Sequence, residues 1–486
     1  MKYYLIAGEP SGDLHGSNLI KGLLKADPEA RLRFWGGDLM AAAGGEANLA
    51  KHYRETSFFG IVQVLKNLRT IKRQMRECRA DVAAFAPDVL ILVDYPGFNI
   101  KMARWAKEHG IRTFYYIAPK VWAWREWRVK AIRRYVDRLF VIFPFECGYF
   151  PRHGVEPIFE GNPLVDAIEA RRTSLPSPDE FRRRHGLDRR PIIALLAGSR
   201  RGEIRDNLPL MADLSRKFPE HQFVVAGVAW LDRALYEQYM AGSGIRYVCD
   251  QTYETLAAAE AAVVTSGTAT LETALLGIPE VVVYRTLWFQ VRLRPYVLKV
   301  PWVSLVNLNL GREAVAEVIQ SDLDTTRAER ELRAIVAGGE KRGRMLADFA
   351  ELRTVIGGPG ASDRFAARMV AELRAPETKY PKVMDDFTIL LLGGVLLIVV
   401  GLLVKRFPML IAGYNTMPPA KKKNVDIGGL SSFMRRHLVI MGALWILFTV
   451  VLELTGQTDT LAVIYVIYLL PYVVWMLVRA QRYDHN

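Results

Sequence analysis

Short runs of near-continuous apolar residues, each closing on glycine or a polar residue, constrain this chain more than any other feature. VLILV (89–93) is typical: nothing polar interrupts it, so both faces of the strand it forms must be covered. YYLIAG, RFWGG, DVLILVD, RTFYYIAP, DRLFVIFP and PIFEGNP succeed one another from residue 3 to about residue 160, separated by amphipathic stretches. A polar, arginine-rich interval, RRTSLPSPDEFRRRHG (171–186), reads as linker plus helix. A second series follows: PIIALLAGS, HQFVVAGV, IRYVCD, AAVVTSG and PEVVVYR. Strands of this kind alternating with helices build open parallel sheets. The expectation is an α/β chain with two tandem Rossmann-like domains, 1–170 and 187–374, in which residues 313–374 are helical. Ligands of such sheets lie beyond the carboxyl ends of the strands, so the residues that close each run are where chemistry is sought.

The composition changes near residue 380. FTILLLGGVLLIVVGLLV (387–404) carries no charge, and LVIMGALWILFTVVLEL (438–454) and LAVIYVIYLLPYVVWMLV (461–478) are similar. Each is about long enough for a hydrocarbon core of roughly 30 Å. Residues 385–486 are therefore expected to form an α-helical membrane domain, the last two segments making a hairpin about TGQTDT. Lys405, Arg406, Lys421, Lys422, Lys423, Arg435 and Arg436 face one acid, Asp426, in the 405–437 loop. Such a loop belongs on the cytoplasmic side. MKYYLIAGEPSGD lacks the apolar stretch of a signal peptide, which puts the first domain in the cytoplasm as well. One crossing cannot satisfy both demands: either the segment with two adjacent glycines does not fully span, or the loop is translocated.

Lysine and arginine exceed aspartate and glutamate by 65 to 51, a net charge of +14 that suits an anionic partner: nucleic acid, membrane surface or phosphorylated substrate. The three cysteines lack paired spacing and fit a reducing compartment. The eight histidines form no ligand cluster, and the Asp-x-Asp at 322–324 sits where aspartate caps helices, so no metal site is indicated.

IAGEPSGDLHG (6–16) closes the first run but has neither a dinucleotide fingerprint nor a Walker lysine. Its glycines allow a tight turn, while Glu9, Ser11, Asp13 and His15 crowd a strand's carboxyl end. LLAGSRRGEI (195–204) sets Ser199, Arg200 and Arg201 after the first strand of the second series, either as a solvated basic loop or as a cradle for a diphosphate. In TSGTATLE (265–272), Ser266, Gly267 and Thr268 lead into a helix whose N-terminus suits phosphate oxygens. Glu272, one turn on, is a ribose acceptor or a capping-box partner. Asp94 ends VLILV before Pro96 and Gly97, as a turn cap or as a general base tuned by burial. APKVWAWREWRVKAIRRY (118–135) mixes tryptophan with basic residues; without a recognition fold it is better read as a wall facing a phosphorylated sugar than as a nucleic-acid platform. The basic amphipathic stretch 58–76 fits a helix lying on an anionic bilayer or an ordinary core-facing helix.

AGEPSGDLHG, FFGIVQVL, VDYPGFN, PKVWAWR, GNPLVD, AGSRRGEI, TSGTATLE and LNLGRE, in this order and spacing, resemble the lipid-A-disaccharide synthase family over roughly residues 1–374. The resemblance does not extend to the membrane segment. It implies a two-Rossmann-domain (GT-B) inverting glycosyltransferase that needs no cofactor or metal and binds no nucleic acid. Its substrates would be UDP-2,3-diacylglucosamine and 2,3-diacylglucosamine 1-phosphate, its products the β-1,6-linked disaccharide 1-phosphate and UDP. Asp94 matches the family's proposed base, Arg200 the arginine near the diphosphate and Glu272 the acid that holds ribose. Ser199, Ser266, Gly267, Thr268, Asn307, Arg312 and Glu313 complete the expected UDP-sugar site, and Gly8, Glu9, Ser11, Gly12 and Asp13 an acceptor-side loop. Pro10 replaces the usual alanine, Asn162 the usual histidine, and Tyr95 and Gly97 flank the turn differently from the family. The expected place is the cytoplasmic face of the bacterial inner membrane, and a homo-oligomer is compatible with the pattern. A UDP-sugar 2-epimerase of the same fold and a non-catalytic membrane adaptor are the alternatives.

Overall fold

Every described strand of the N-terminal part pairs in parallel, the arrangement that the near-continuous apolar runs of the central strands favour. The computed structural model describes residues 1–55, 68–124, 128–285, 300–320, 325–375, 386–411, 414–455 and 471–485. The chain divides into two units, Met1–Pro376 and Glu377–Asn486.

In the first unit, β1 (Lys2–Ala7), β2 (Arg31–Gly36), β3 (Leu49–His52), β4 (Val89–Val93), β5 (Thr113–Tyr116), β6 (Arg138–Val141) and β7 (Pro157–Phe159) form one sheet, ordered β3-β2-β1-β4-β5-β6-β7. A second sheet holds β8 (Ile192–Leu196), β9 (Gln222–Gly227), β10 (Arg246–Cys249), β11 (Ala261–Thr265), β12 (Glu280–Arg285) and β13 (Ala316–Gln320), ordered β10-β9-β8-β11-β12-β13. The order reverses between β1 and β4 and again between β8 and β11. Those two switch points open crevices at the strands' carboxyl ends.

Three elements depart from the sequence reading. Residues 313–374, expected to be helical, begin with β13. This short edge strand escapes notice because Glu317 interrupts its apolar run; the carboxylate is buried, accepting the N–H groups of Val303 and Ser304. The helix Pro178–His185, read with the linker, belongs to the second sheet, where Phe181 packs among Ile192, Val224 and Val248. The helix Ala361–Arg374, assigned to the second domain, packs against the first sheet instead. Phe365 sits edge-on to Tyr116 and Phe140 at 5.2 and 6.2 Å, and full burial of such a side chain is worth roughly 1.5–3 kcal/mol. Lys25–Asp363 and Arg138–Glu372, each 2.6 Å, flank that contact. Asp166 accepts from the N–H groups of Gly360, Ala361 and Ser362, holding the crossing.

The basic stretch 58–76 is described from Leu68, the start of the helix Leu68–Phe85; its earlier residues, like 322–324 and Trp127, lie outside the described residues. Met75, Cys78 and Val82 of this helix are buried against the first sheet, and Asp81 pairs with Arg33 and Tyr4. The described part is core-facing.

In the second unit, the helices Asp386–Val404 and Ile427–Thr455 lie against each other. A Cβ on Gly442 would sit 2.7 Å from the Gly394 carbonyl oxygen, so glycine there is a condition of contact. The Trp445 indole donates to the Leu390 carbonyl at 2.8 Å. The second helix starts eleven residues before the apolar run at 438, so Arg435 and Arg436 are helical rather than part of a loop. Ile427–Val451, with mean hydropathy 1.5, is long and apolar enough to cross a membrane; among the described residues no other helix is. Residues 471–480 are helical, and the rest of the expected third segment, 461–470, lies outside the described residues.

Candidate active site

Asp94 follows β4 at the first switch point, in left-handed backbone conformation with φ 45°. Its N–H donates to the Tyr116 carbonyl, and its carbonyl accepts from the Tyr115 hydroxyl at 2.6 Å and Asn99 Nδ2 at 2.8 Å. With φ 48°, Tyr95 turns the chain into a helix that opens with Pro96. Tyr95 returns its ring over Gly8, where any Cβ would collide with it. The backbone is thus pinned, and the carboxyl, which accepts a hydrogen bond from the Tyr95 N–H, stands at the carboxyl end of β4. Burial, and then the nearby negative charge of Glu9, push the Asp94 carboxyl up to about 6, against the pull of Lys120. Glu9 is raised by burial too, opposed by Arg200 of the second sheet and by Lys120. Asp94, Glu9 and Lys120 thus influence one another's charge, and Arg200 of the second sheet acts on Glu9. Lys120, four residues after β5, was not singled out in the sequence, although it lies in the basic, tryptophan-rich stretch 118–135.

The expected acceptor-side loop is mostly helix. Pro10 starts the helix Pro10–Ala26 and presets its first turn, so Ser11, Gly12 and Asp13 are helical and only Gly8 and Glu9 form the connection. Ser11 is exposed. Asp13 is not available to a ligand: its buried carboxylate accepts from the N–H groups of Gly37, Leu39 and Met40 and caps the helix Asp38–Gly44. His15 is kept neutral, its pKa depressed to about 4 by burial.

On the second sheet, Gly198 has φ 111°, and a Cβ there would lie 2.5 Å from the Glu203 Cβ. Glu203 turns back into the loop, where its Oε2 accepts the Ser199 and Arg200 N–H groups at 2.8 and 3.2 Å while Oε1 pairs with the Arg200 guanidinium at 2.9 Å. The backbone donors that suit an anion are therefore occupied by a carboxylate of the chain itself; the Arg200 side chain remains largely exposed.

Ser266, Gly267 and Thr268 lead from β11 into the helix Thr268–Leu275, and the Ser266 hydroxyl donates to the Val303 carbonyl. Glu272 is half-buried; one oxygen accepts from the Tyr253 hydroxyl at 2.7 Å, and the carboxyl is raised chiefly by burial. Arg171, carried by the helix Pro163–Arg172, stacks on the Tyr253 ring at 4.8 Å.

Two expected UDP-sugar residues, Asn307 and Arg312, serve the scaffold. Asn307 is fully buried, donating to Val315 and Glu317 and accepting from the Ala314 and Val315 N–H groups. Arg312 pairs with Asp348 and Glu351. Glu313 is exposed beside it. Asn162 caps the helix Pro163–Arg172 through the Leu164 N–H and donates to the Ile142 carbonyl, a structural role with no call for acid–base chemistry. Trp122 is buried with its indole on Glu146, a wall and not a stacking platform.

Residues 3–356 match the model of a family described as lipid-A-disaccharide synthetase, and residues 391–484 match a domain of unknown function, DUF3784. The lipid-A-disaccharide synthase of Syntrophus aciditrophicus (strain SB) is 38% identical over 370 residues, covering 74% of this chain and 95% of that protein. That of Myxococcus xanthus (strain DK1622) is 39% identical over 382 residues, with 76% and 97% covered. Among solved structures, UDP-GlcNAc 2-epimerase from Neisseria meningitidis bound to UDP-GlcNAc aligns with TM-score 0.50 at 13% identity, covering 77% of this chain and 99% of that one. The S. aureus MnaA–UDP co-structure aligns with TM-score 0.53 at 13% identity, covering 79% and 100%. The glycotransferase of kitacinnamycin aligns with TM-score 0.50 at 14% identity, covering 77% and 99%. At such identities the likeness establishes the two-Rossmann-domain fold of the GT-B type.

Proposed function

This chain belongs to the lipid-A-disaccharide synthase family, and from that membership we propose how its own residues carry the reaction. It is a glycosyltransferase of lipid A synthesis. Its donor is a UDP-sugar: UDP-2,3-diacylglucosamine, with 2,3-diacylglucosamine 1-phosphate as acceptor. Asp94 takes the proton of the acceptor's 6-hydroxyl as that oxygen attacks the donor's anomeric carbon. The bond from this carbon to the diphosphate oxygen breaks, UDP leaves with the electron pair, and the configuration inverts.

The observation that carries this reading is the state of Asp94: a carboxyl at about 6 beside Glu9 and Lys120, ionised near neutral pH yet basic enough to share a proton. Because Glu203 already fills the backbone donors of 199–200, the departing diphosphate is met by the Arg200 guanidinium and by the N-terminus of the helix at Thr268. Glu272 gives one oxygen to Tyr253 and keeps the other for the ribose hydroxyls. The acceptor's phosphate lies toward the exposed first turn at Ser11. The second unit anchors the enzyme at the cytoplasmic face of the inner membrane.

The test is an assay of the detergent-solubilised protein with both lipid-sugars, following UDP release and the disaccharide by mass spectrometry. D94N is expected to lose about 100-fold or more in rate. Unchanged turnover in D94N overturns the assignment of the base, and epimer formed from UDP-GlcNAc alone overturns the reaction.

A further inference from the structure

Trp230 is 66% exposed, more than any other large hydrophobic residue described in the first unit. It is nonetheless held in place. Its indole N–H donates to the Ser199 carbonyl at 3.1 Å, tying it to the loop that carries Arg200. The preceding Ala229 N–H donates to Asp250 Oδ1 at 2.9 Å, and Asp232 caps the helix Arg233–Met240 directly after it. A large flat apolar surface is thus fixed at the carboxyl ends of the second sheet, where ligands of this fold lie.

We propose that Trp230 is the stacking platform for the nucleobase of the UDP-sugar. The inference rests on the donor site proposed above. With the diphosphate at Arg200 and the ribose at Glu272, the base folds back toward the 199–200 loop that Trp230 borders. Tyr253, bound to Glu272, stands at the start of the helix after β10, and the loop after β10 is tied to that of Trp230 through Asp250. The base is led past Tyr253 toward the indole. Stacking on an aromatic face tolerates any base, so Trp230 supplies affinity and leaves sugar selection to the rest of the site.

The full chain in detergent is titrated with UDP by calorimetry and by tryptophan fluorescence, as wild type, W230F and W230A. W230A is expected to bind UDP roughly 5- to 150-fold more weakly, the range for loss of one stacking partner, and W230F nearly as well as wild type. The UDP-induced fluorescence change should diminish in W230F. In turnover, KM for the UDP-sugar rises in W230A with kcat little changed. An exposed side chain contributes little to the fold, so melting temperature should stay constant and separates binding from unfolding. Wild-type binding with an unaltered W230A overturns the stacking role and leaves the donor site standing. A wild type that does not bind UDP overturns the donor site, and this inference with it.

Discussion

A carboxylate works as a base near neutral pH when its surroundings penalise its charge without cancelling it. Asp94 is in that state, with Glu9 raising its pKa and Lys120 opposing the rise. Below about 6 the carboxylate fraction falls, so kcat/KM should drop roughly tenfold per pH unit there. E9Q removes a neighbouring negative charge and lowers the Asp94 pKa, so the acid limb of the pH–rate profile should move to lower pH. A limb that stays put shows that the two groups are not coupled. At the other end of the second sheet, Glu280 opens β12 fully buried, and neither carboxyl oxygen has a hydrogen-bond partner among the described residues. Burial raises its pKa well above the ordinary value, so it folds as the neutral acid. Its stability contribution is fully present below the unfolded pKa, near 4.5, and is lost as pH rises through the folded value. E280M should stabilise the protein at neutral pH by about 1–3 kcal/mol, the cost of an unpaired buried polar group, with the gain shrinking toward pH 4 in denaturant melts.

At the scale of elements, close contacts depend on what a side chain would displace. In the second unit the pair Asp386–Val404 and Ile427–Thr455 meets where Gly442 faces the Gly394 carbonyl oxygen and Ile398. G442V forces the helices apart at a cost of about 1–3 kcal/mol, while G442A does less. Protease sensitivity of this helix pair in micelles should rise in G442V, with glycosyl transfer unchanged. The helix Ala361–Arg374 shows the same dependence on partners. Its helical character is legible in the sequence, but the surface it covers is set by Phe365 meeting Tyr116 and Phe140 and by Asp166 receiving its first N–H groups.

For the molecule as a whole, the division at Pro376 separates a glycosyltransferase with its own buried core from a unit holding an apolar helix of membrane length. A chain ending at residue 376 should stay folded, retain transfer between detergent-dispersed substrates and leave the membrane fraction, in which the full chain remains. Fractionation followed by UDP-release assay checks both halves. Truncated protein still sedimenting with membranes transfers the anchoring role to the first unit.

The sequence by itself determined the two series of doubly covered strands, the apolar C-terminal helices and the placing of Asp94 at a strand's end, Arg200 in the loop after a strand and Glu272 one turn into a helix, because burial on both faces leaves an unbroken apolar run. Periodicity carries no information on where a side chain at a strand's end turns. Asp13, Asn307 and Arg312 carry the same polar chemistry as the site residues, yet each turns to nearby N–H groups or opposite charges and serves the scaffold. The filling of the 199–200 loop by Glu203, the meeting of Glu9 with Lys120 and Arg200, and the crossing of the last helix onto the first sheet were decided only by tertiary structure, because each joins groups whose partners the local sequence does not name.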